Sequence, residues 1–233
     1  MSFFFASINS KRVIRATLRV PYSGIWIADL DLDTADVVGG PTANLVLGAL
    51  TIVGTISDFR SGTFGEARKV RVIGGKGGWS KEIPPKHYRN DAGLRKSIVL
   101  QESAALAGET LNLQFPEDEK IGPQFTRVSK DQLGRSIPAS NIFAKVIPTY
   151  LWWTDFSGVT QVATSRPTSE VPRGKTLELL EFDARHKTAT LAGDFDAVSI
   201  GTILRNRLDS PITVREISYS LEGTESRIIV RGQ

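Results

Sequence analysis

The sequence predicts a mainly-β protein (with a minor α+β character), built from small antiparallel β-barrel-like units with one firm helical insertion. Three observations support this fold class: short runs in which apolar and polar residues alternate, glycine- and proline-bearing turns between them, and a single stretch with clear helix signals. A period of two is typical of a strand with one buried face, and turn residues at close spacing indicate antiparallel pairing of neighbouring strands.

The alternation is clearest near the two ends of the chain. In the first two strands, the predicted buried positions are Ile14, Ala16, Leu18, Val20, Trp26, Ala28, Leu30 and Leu32. In the last hairpin, which turns at residues 222–225, they are Ile212, Val214, Ile217, Tyr219, Leu221, Ile228 and Val230. Weaker patterns predict further strands at 45–47, 50–56, 69–72, 177–182, 189–191 and 203–208, and a hairpin at 151–163 that turns at 155–158.

One helix is predicted at about 91–107. Asp91 is a good N-cap residue, and Gly108 follows as a residue that favours the left-handed conformation at a helix end. The positions at helical spacing are Leu94, Ile98, Gln101 and Ala105. A shorter helix is predicted over residues 140–146.

A charged stretch without periodicity lies between Phe115 and Gly122, and it predicts a boundary between two units. The first unit, residues 1–115, would be β-barrel-like and carry the helical insertion. The second, residues 122–233, would combine the short helix with further β-barrel-like strands.

Composition argues against most catalytic chemistry. There is no cysteine, and the only histidines, His87 and His186, are 99 residues apart. Disulfides and cysteine-ligated metals are therefore excluded, and no local pattern supports a histidine metal cluster or a hydrolase triad. We predict no catalytic residue, metal or cofactor and no enzymatic activity. Without a run of eighteen apolar residues, no membrane span is expected.

Basic residues concentrate in residues 60–96, which hold ten Lys or Arg and three acids, a net charge of +7. Such a segment is either a solvated face or a contact for phosphate or an acidic partner. We expect a protein interface or a surface that makes transient, non-specific contact with DNA. The candidate residues of this basic patch are Arg68, Lys69, Arg71, Lys76, Lys81, Lys86 and Arg89.

The glycine-rich segment 74–78 has two interpretations. Glycine loops cradle phosphate with backbone N–H groups, but the spacing is wrong for a nucleotide-binding loop, and Pro84 and Pro85 disfavour a following helix. The alternative, which we favour, is a tight turn that presents Trp79.

An acidic run also has two interpretations. Its members could bind Ca²⁺, but the glycine and glutamate of a calcium-binding EF-hand loop are missing. We predict instead a solvated strand edge whose charges prevent aggregation. The residues are Asp29, Asp31, Asp33 and Asp36.

Apolar residues that one chain does not bury alone would mark contacts with partners. Trp152 and Trp153 must face opposite ways on a strand, so one is expected in the core and the other at a partner. With short strands whose edges need cover, these residues predict a closed homo-oligomer. The interface candidates are Phe3, Phe4, Phe5, Trp79, Trp152 and Trp153.

The order of several features resembles the baseplate hub, or tail-hub, proteins of tailed bacteriophages and phage-derived tail machines. The resemblance spans the chain from about Ile25 to Val230. The segments that carry it are 74–79, 103–109, Arg127, 151–160, 200–203 and 214–230.

This resemblance implies a structural subunit of a phage tail, a baseplate or tail-tip hub that joins the tail tube to the spike and the tape-measure protein. It also implies a trimer whose barrels mimic a sixfold tube ring, other baseplate proteins as partners, and a place in the virion after synthesis in the host cytoplasm. The alternatives are a tail-associated cell-wall hydrolase and a carbohydrate- or nucleic-acid-binding β module.

Overall fold

The computed structural model describes residues 6–35, 38–64, 67–128, 136–205, 211–223 and 225–233. Contacts divide the chain into a first unit, residues 1–74 with 166–233, and a second unit, residues 75–165. These units differ from the predicted 1–115 and 122–233, because strands from the two ends of the sequence pair with each other. The predicted boundary lies inside the second unit.

Strands dominate both segments of the first unit and also the second unit. Before residue 75 they are β1 Ala6–Ile8, β2 Lys11–Val20, β3 Ile27–Leu32, β4 Thr42–Leu47, β5 Leu50–Phe64 and β6 Ala67–Gly74. The second unit has β7 Glu82–Ile83, β8 Lys86–Arg95, α1 Lys96–Ala107, β9 Leu111–Gln114, β10 Lys120–Arg127, β11 Ile137–Pro138, α2 Asn141–Val146, β12 Leu151–Thr154 and β13 Thr160–Ala163. The last segment has β14 Ser169–Glu170, β15 Leu177–Asp183, β16 Thr188–Gly193, β17 Thr202–Leu204, β18 Ile212–Glu222 and β19 Glu225–Gly232. Short 3₁₀ turns cover Gly78–Ser80 and Phe195–Ala197.

Six strands of the first unit close into a barrel. Their order is β1-β4-β5-β6-β3-β2, and β2 pairs again with β1 through Ser7 and Arg12. Every pairing is antiparallel, and closure leaves no free edge where these strands meet. The β-barrel-like fold is thereby confirmed. Its buried side chains include Leu18, Ala28, Leu30, Leu45, Ile52, Val70 and Val72.

A β-bulge corrects one predicted position in β2. Ala16, Leu18 and Val20 are buried as predicted, but Ile14 is 38% exposed and Val13 takes the interior position. The register shifts between Val13 and Arg15, and the extra residue of a bulge reverses which side chains face inward.

The C-terminal hairpin is confirmed and extends the sheet beyond the barrel. Residues 217–222 of β18 pair with β2, and the start of β18 pairs with β17. A register shift between Val214 and Glu216 changes the buried set from even to odd positions. The buried side chains are Ile212, Val214, Ile217, Tyr219, Leu221, Ile228 and Val230.

The helix α1 is shorter than predicted. It begins at Lys96, while Asp91 lies in β8 and caps nothing. The reason is strand pairing: Leu94 pairs with Gly122 of β10, which keeps this part of the chain extended. At the other end the prediction is confirmed, since Gly108 has φ 78° and its N–H bonds to the last turn.

The residues that indicate the helix by their spacing do not form the buried face of α1. Ile98 is exposed, as are Gln101 and Ala105 at the same spacing. The core contacts come from another face of the helix, because apolar residues lie on more than one side of it and their spacing alone does not select the buried one. The buried helix residues are Ser97, Val99, Leu100, Ser103, Ala104 and Ala107.

The remainder of the second unit follows the sequence prediction more closely. The short helix α2 is present, and β12 and β13 form the predicted hairpin. A parallel pairing of β13 with β9 completes a three-stranded sheet. Among the described residues, no helix is both long and apolar enough to cross a bilayer.

We expect Gly54→Ala to destabilise the first unit. A Cβ there would lie 2.5 Å from the Ile73 carbonyl oxygen and 2.6 Å from the fully buried Trp26 ring. Overpacking of this kind costs about 1–3 kcal/mol, which urea unfolding would measure. Gly62→Ala in the same strand is the control, since its Cβ meets nothing within 4 Å. Equal stability of the two variants would contradict the packing of Trp26 on β5.

Candidate functional site

The glycine-rich loop does cradle an anion, and the anion belongs to the chain itself. The Lys76 N–H donates to Glu109 Oε2 at 3.0 Å, and the Gly78 N–H donates to Glu109 Oε1 at 2.5 Å. Gly75 and Gly77 both have φ 77°, which bends the backbone around the carboxylate. A Cβ on Gly75 would lie 2.6 Å from Glu109 Oε2. With Glu109 only 8% exposed, the cradle is already filled.

Trp79 follows this loop but is buried, so the prediction that the turn presents it is wrong. Its Nε1 donates to Thr160 Oγ1 at 2.8 Å. Its ring packs against Phe143 and Trp152, with centroids 4.7 and 6.1 Å away. The indole therefore anchors the loop to α2 and the β12–β13 hairpin.

The two adjacent tryptophans of β12 face different surroundings. Trp153 is buried, whereas Trp152 is half-buried and stacks on Phe143 with ring centroids 4.4 Å apart. Trp152 stays a predicted interface residue with one ring face already covered. The segment Phe3–Phe5 lies outside the described residues.

The acidic run lies on an interior strand, which corrects the predicted strand edge. β3 pairs with β2 on one side and β6 on the other. Asp29 receives two hydrogen bonds from Arg71, at 2.6 and 2.7 Å, and Asp31 lies 3.7 Å from Lys69. Carboxylates on β3 are thus neutralised across the sheet by basic residues of β6.

Basic residues of β2 continue this ion-pair ladder. Arg15 lies 3.9 Å from Asp31 and 2.5 Å from Glu222 of β18, and Arg12 lies 3.5 Å from Asp33. Exposed pairs each contribute about 0–1 kcal/mol, so the ladder aligns strands more than it stabilises them. Asp36 lies outside the described residues.

The predicted basic patch is divided between the two units. Arg68, Lys69 and Arg71 are in β6, whereas Lys76, Lys81, Lys86 and Arg89 are in the second unit. Several of these cations already have partners, which reduces the charge left for phosphate. The contacts in the second unit are Lys86 with Glu102 at 2.6 Å, Arg89 with Asp91 at 3.5 Å, and Lys81 with the Ala107 carbonyl at 3.4 Å.

Arg127 forms a buried polar cluster for which the sequence carries no local signal. It is 1% exposed, and its Nε donates to the Pro84 carbonyl at 3.0 Å. Its Nη1 donates to Tyr88 Oη at 2.9 Å and Ser103 Oγ at 3.2 Å, and lies 3.6 Å from Glu102. A buried guanidinium with this many acceptors ties β8, β10 and α1 together.

The pKa values of Tyr88 and Glu102 in this cluster suit a structural role better than proton transfer. Burial raises the pKa of Tyr88 to about 12, although the charge of Arg127 opposes the shift. Burial also tends to raise the pKa of Glu102, but its hydrogen bond and ion pair with Lys86 and the charge of Arg127 outweigh this and lower it. Neither group titrates near neutral pH, where a general acid or base would work.

The two histidines make separate contacts at the surface. His87 Nδ1 lies 2.8 Å from Thr126 Oγ1 on the paired strand, and His186 Nδ1 lies 2.6 Å from Asp183 in the β15–β16 turn. Within the part of the chain that the structure describes, no group of three or more His, Asp or Glu side chains could hold a metal ion.

We expect Glu109→Ala to destabilise the second unit by about 2–3 kcal/mol, since backbone donors lose a charged acceptor. Urea unfolding would measure the loss, and Glu117→Ala, at an exposed turn, is the control. Inorganic phosphate should restore part of the stability of Glu109→Ala and leave the parent chain unchanged. An unaltered unfolding midpoint in Glu109→Ala would contradict the cradle.

Tyr88 should make stability depend on alkaline pH. An unfolded tyrosine has a pKa of about 10 and folded Tyr88 one of about 12, so the unfolded state releases its proton first. Stability present below pH 10 is therefore lost between about pH 10 and 12. The difference in melting temperature between the parent and Tyr88→Phe should shrink over this range. Parallel curves for the two proteins would refute the burial of the phenol.

No protein-family model and no curated protein sequence matches the chain. Several solved structures are similar to the chain. The 43 kDa tail protein of prophage MuSo2 from Shewanella oneidensis is 9% identical, with a TM-score of 0.65 over 100% of this chain and 98% of its own. A tail protein of Neisseria meningitidis is 12% identical, with a TM-score of 0.63 over 99% of this chain and 96% of its own.

A third structure is a component of the type VI secretion system of E. coli that is described as structurally similar to the T4 bacteriophage tail proteins gp27 and gp5. It is 10% identical, with a TM-score of 0.65 over 97% of this chain and 75% of its own. At these identities the likeness is one of fold. The chain therefore has the fold of phage tail proteins, as the resemblance in its sequence implied.

Proposed function

We propose that the chain is a structural subunit of a phage tail, in the baseplate or tail-tip hub that connects the tail tube to the spike and the tape-measure protein. The observation that carries this proposal is the likeness of fold, over essentially the whole chain, to a prophage tail protein and to a tail protein of Neisseria meningitidis. The secretion-system component, itself similar to gp27 and gp5, points to the hub among tail parts.

The side chains support a scaffold. The charges of β3 are neutralised across the sheet, Glu109 fills the cradle of the glycine-rich loop, and Arg127 bonds to the polar groups around it. In this role the chain needs no catalytic group, and we assign it none.

The proposed assembly is a closed homo-oligomer, a trimer around the tail axis, with tube, spike, tape-measure and baseplate proteins as partners. Contact with DNA would be transient and independent of sequence, because it would rest on phosphate charge alone. The proposed location is the tail of the virion.

The test is the copy number of the chain in purified tails. We expect electron microscopy of tails carrying a tagged chain to show three copies around the axis at the distal end of the tube. Six or twelve copies would assign the chain to the tube or to the surrounding baseplate and refute the hub. Absence from assembled tails would refute the tail proposal altogether.

A further inference from the structure

The first unit contains a second set of strands that, unlike β1–β6, shows no closing pair among the residues that the structure describes. Their order is β14-β17-β18-β19-β16-β15, and β14 and β15 are the two ends. Residues 171–176 join these end strands directly in the chain. Among the described residues, however, β14 and β15 do not pair with each other, and no strand pairs with the outer edge of β15.

β15 is an uncovered edge strand that carries four apolar residues and three acids. None of its seven residues is buried: Leu180 is 50% exposed, and Leu177, Leu179 and Phe182 are half-buried. Natural proteins usually protect edge strands with charge, proline or a covering element, since unpaired backbone groups invite another strand. Here the acids of β15 oppose a partner strand of like charge, whereas its apolar side chains flank an edge that a strand of opposite charge can reach.

A cleft lies beside this edge. It has a volume of about 600 Å³ and receives side chains from β15, β16 and β17, among them Leu177, Leu179, Leu191 and Leu204. Because side chains alternate along a strand, a strand added to β15 would direct every second residue toward one face. The cleft offers apolar side chains to residues on that face.

The charge beside the edge is acidic. Glu178 and Glu181 are exposed on β15. The two basic residues that line the cleft, Lys175 and Arg205, each already have an acidic partner within 4 Å. A second copy of β15 would set like charges against each other, which destabilises a strand pair, whereas a basic strand would be attracted.

We propose that β15 is a strand-addition site for an extended segment of another polypeptide, in which apolar residues alternate with Lys or Arg. Backbone hydrogen bonds along the edge supply affinity, the apolar residues contact the cleft, and the basic residues meet Glu178 and Glu181. β15 offers this edge whether or not the chain is a tail subunit, so a failure to bind would leave the proposed function standing.

A capped seven-residue peptide of alternating valine and lysine, as long as β15, is the probe. At saturating peptide we expect backbone amides of residues 177–183 to exchange hydrogen roughly tenfold more slowly, and amides of β1–β6 to stay unchanged. The double variant Glu178→Lys/Glu181→Lys should weaken binding by roughly tenfold. Asp118→Lys, at an exposed turn of the second unit, is the matched control and should bind as the parent does.

Three outcomes would overturn the proposal. One is unchanged exchange at residues 177–183. Another is equal binding of a valine–glutamate peptide, which would remove the charge argument. The third is slow exchange that rises with the concentration of the chain itself without peptide, which would identify a second copy as the occupant.

Discussion

The architecture of the first unit depends on one strand, β2, which serves two sets of strands. Its first residues pair with β1 and close the barrel, and its remaining length from Arg15 to Val20 pairs with β18. The contact between Arg15 and Glu222 joins residues 207 positions apart. Pairings so distant in sequence form late, because a long stretch of chain must be closed before they contribute. In the sequence, residues 75–165 of the second unit lie between these two strands.

Alternation predicts burial well where a strand is regular. Ala28 and Leu30 are buried as expected, but the bulge at Ile14 depends on the partner strand, which no local pattern reveals. Asp91 suits a helix start, yet the pairing of β8 with β10 overrides that preference. The contact-based division into units differs from the predicted one for the same reason, since it follows from which distant strands meet.

The candidate sites show a similar limit. An anion cradle at the glycine loop was one interpretation of the sequence, and its occupant proved to be Glu109, more than thirty residues away from the loop's Gly78. Local spacing suggested a site without identifying what fills it. No local pattern indicates the burial of Arg127, because its acceptors come from the β7–β8 connection, β8 and α1.

Because translation starts at the N-terminus, β2 is made long before its partner strand β18. All six barrel strands lie within residues 6–74, so the barrel can form while later residues are still being made. Until β18 emerges, the edge of β2 from Arg15 to Val20 has no partner. At about 5–20 residues per second, translating the intervening chain takes roughly 7–30 s. Arg15 and Arg19 are exposed on this strand, and such charges hinder pairing with another nascent chain. The charges of these two arginines therefore oppose aggregation of the growing polypeptide until Arg15 pairs with Glu222.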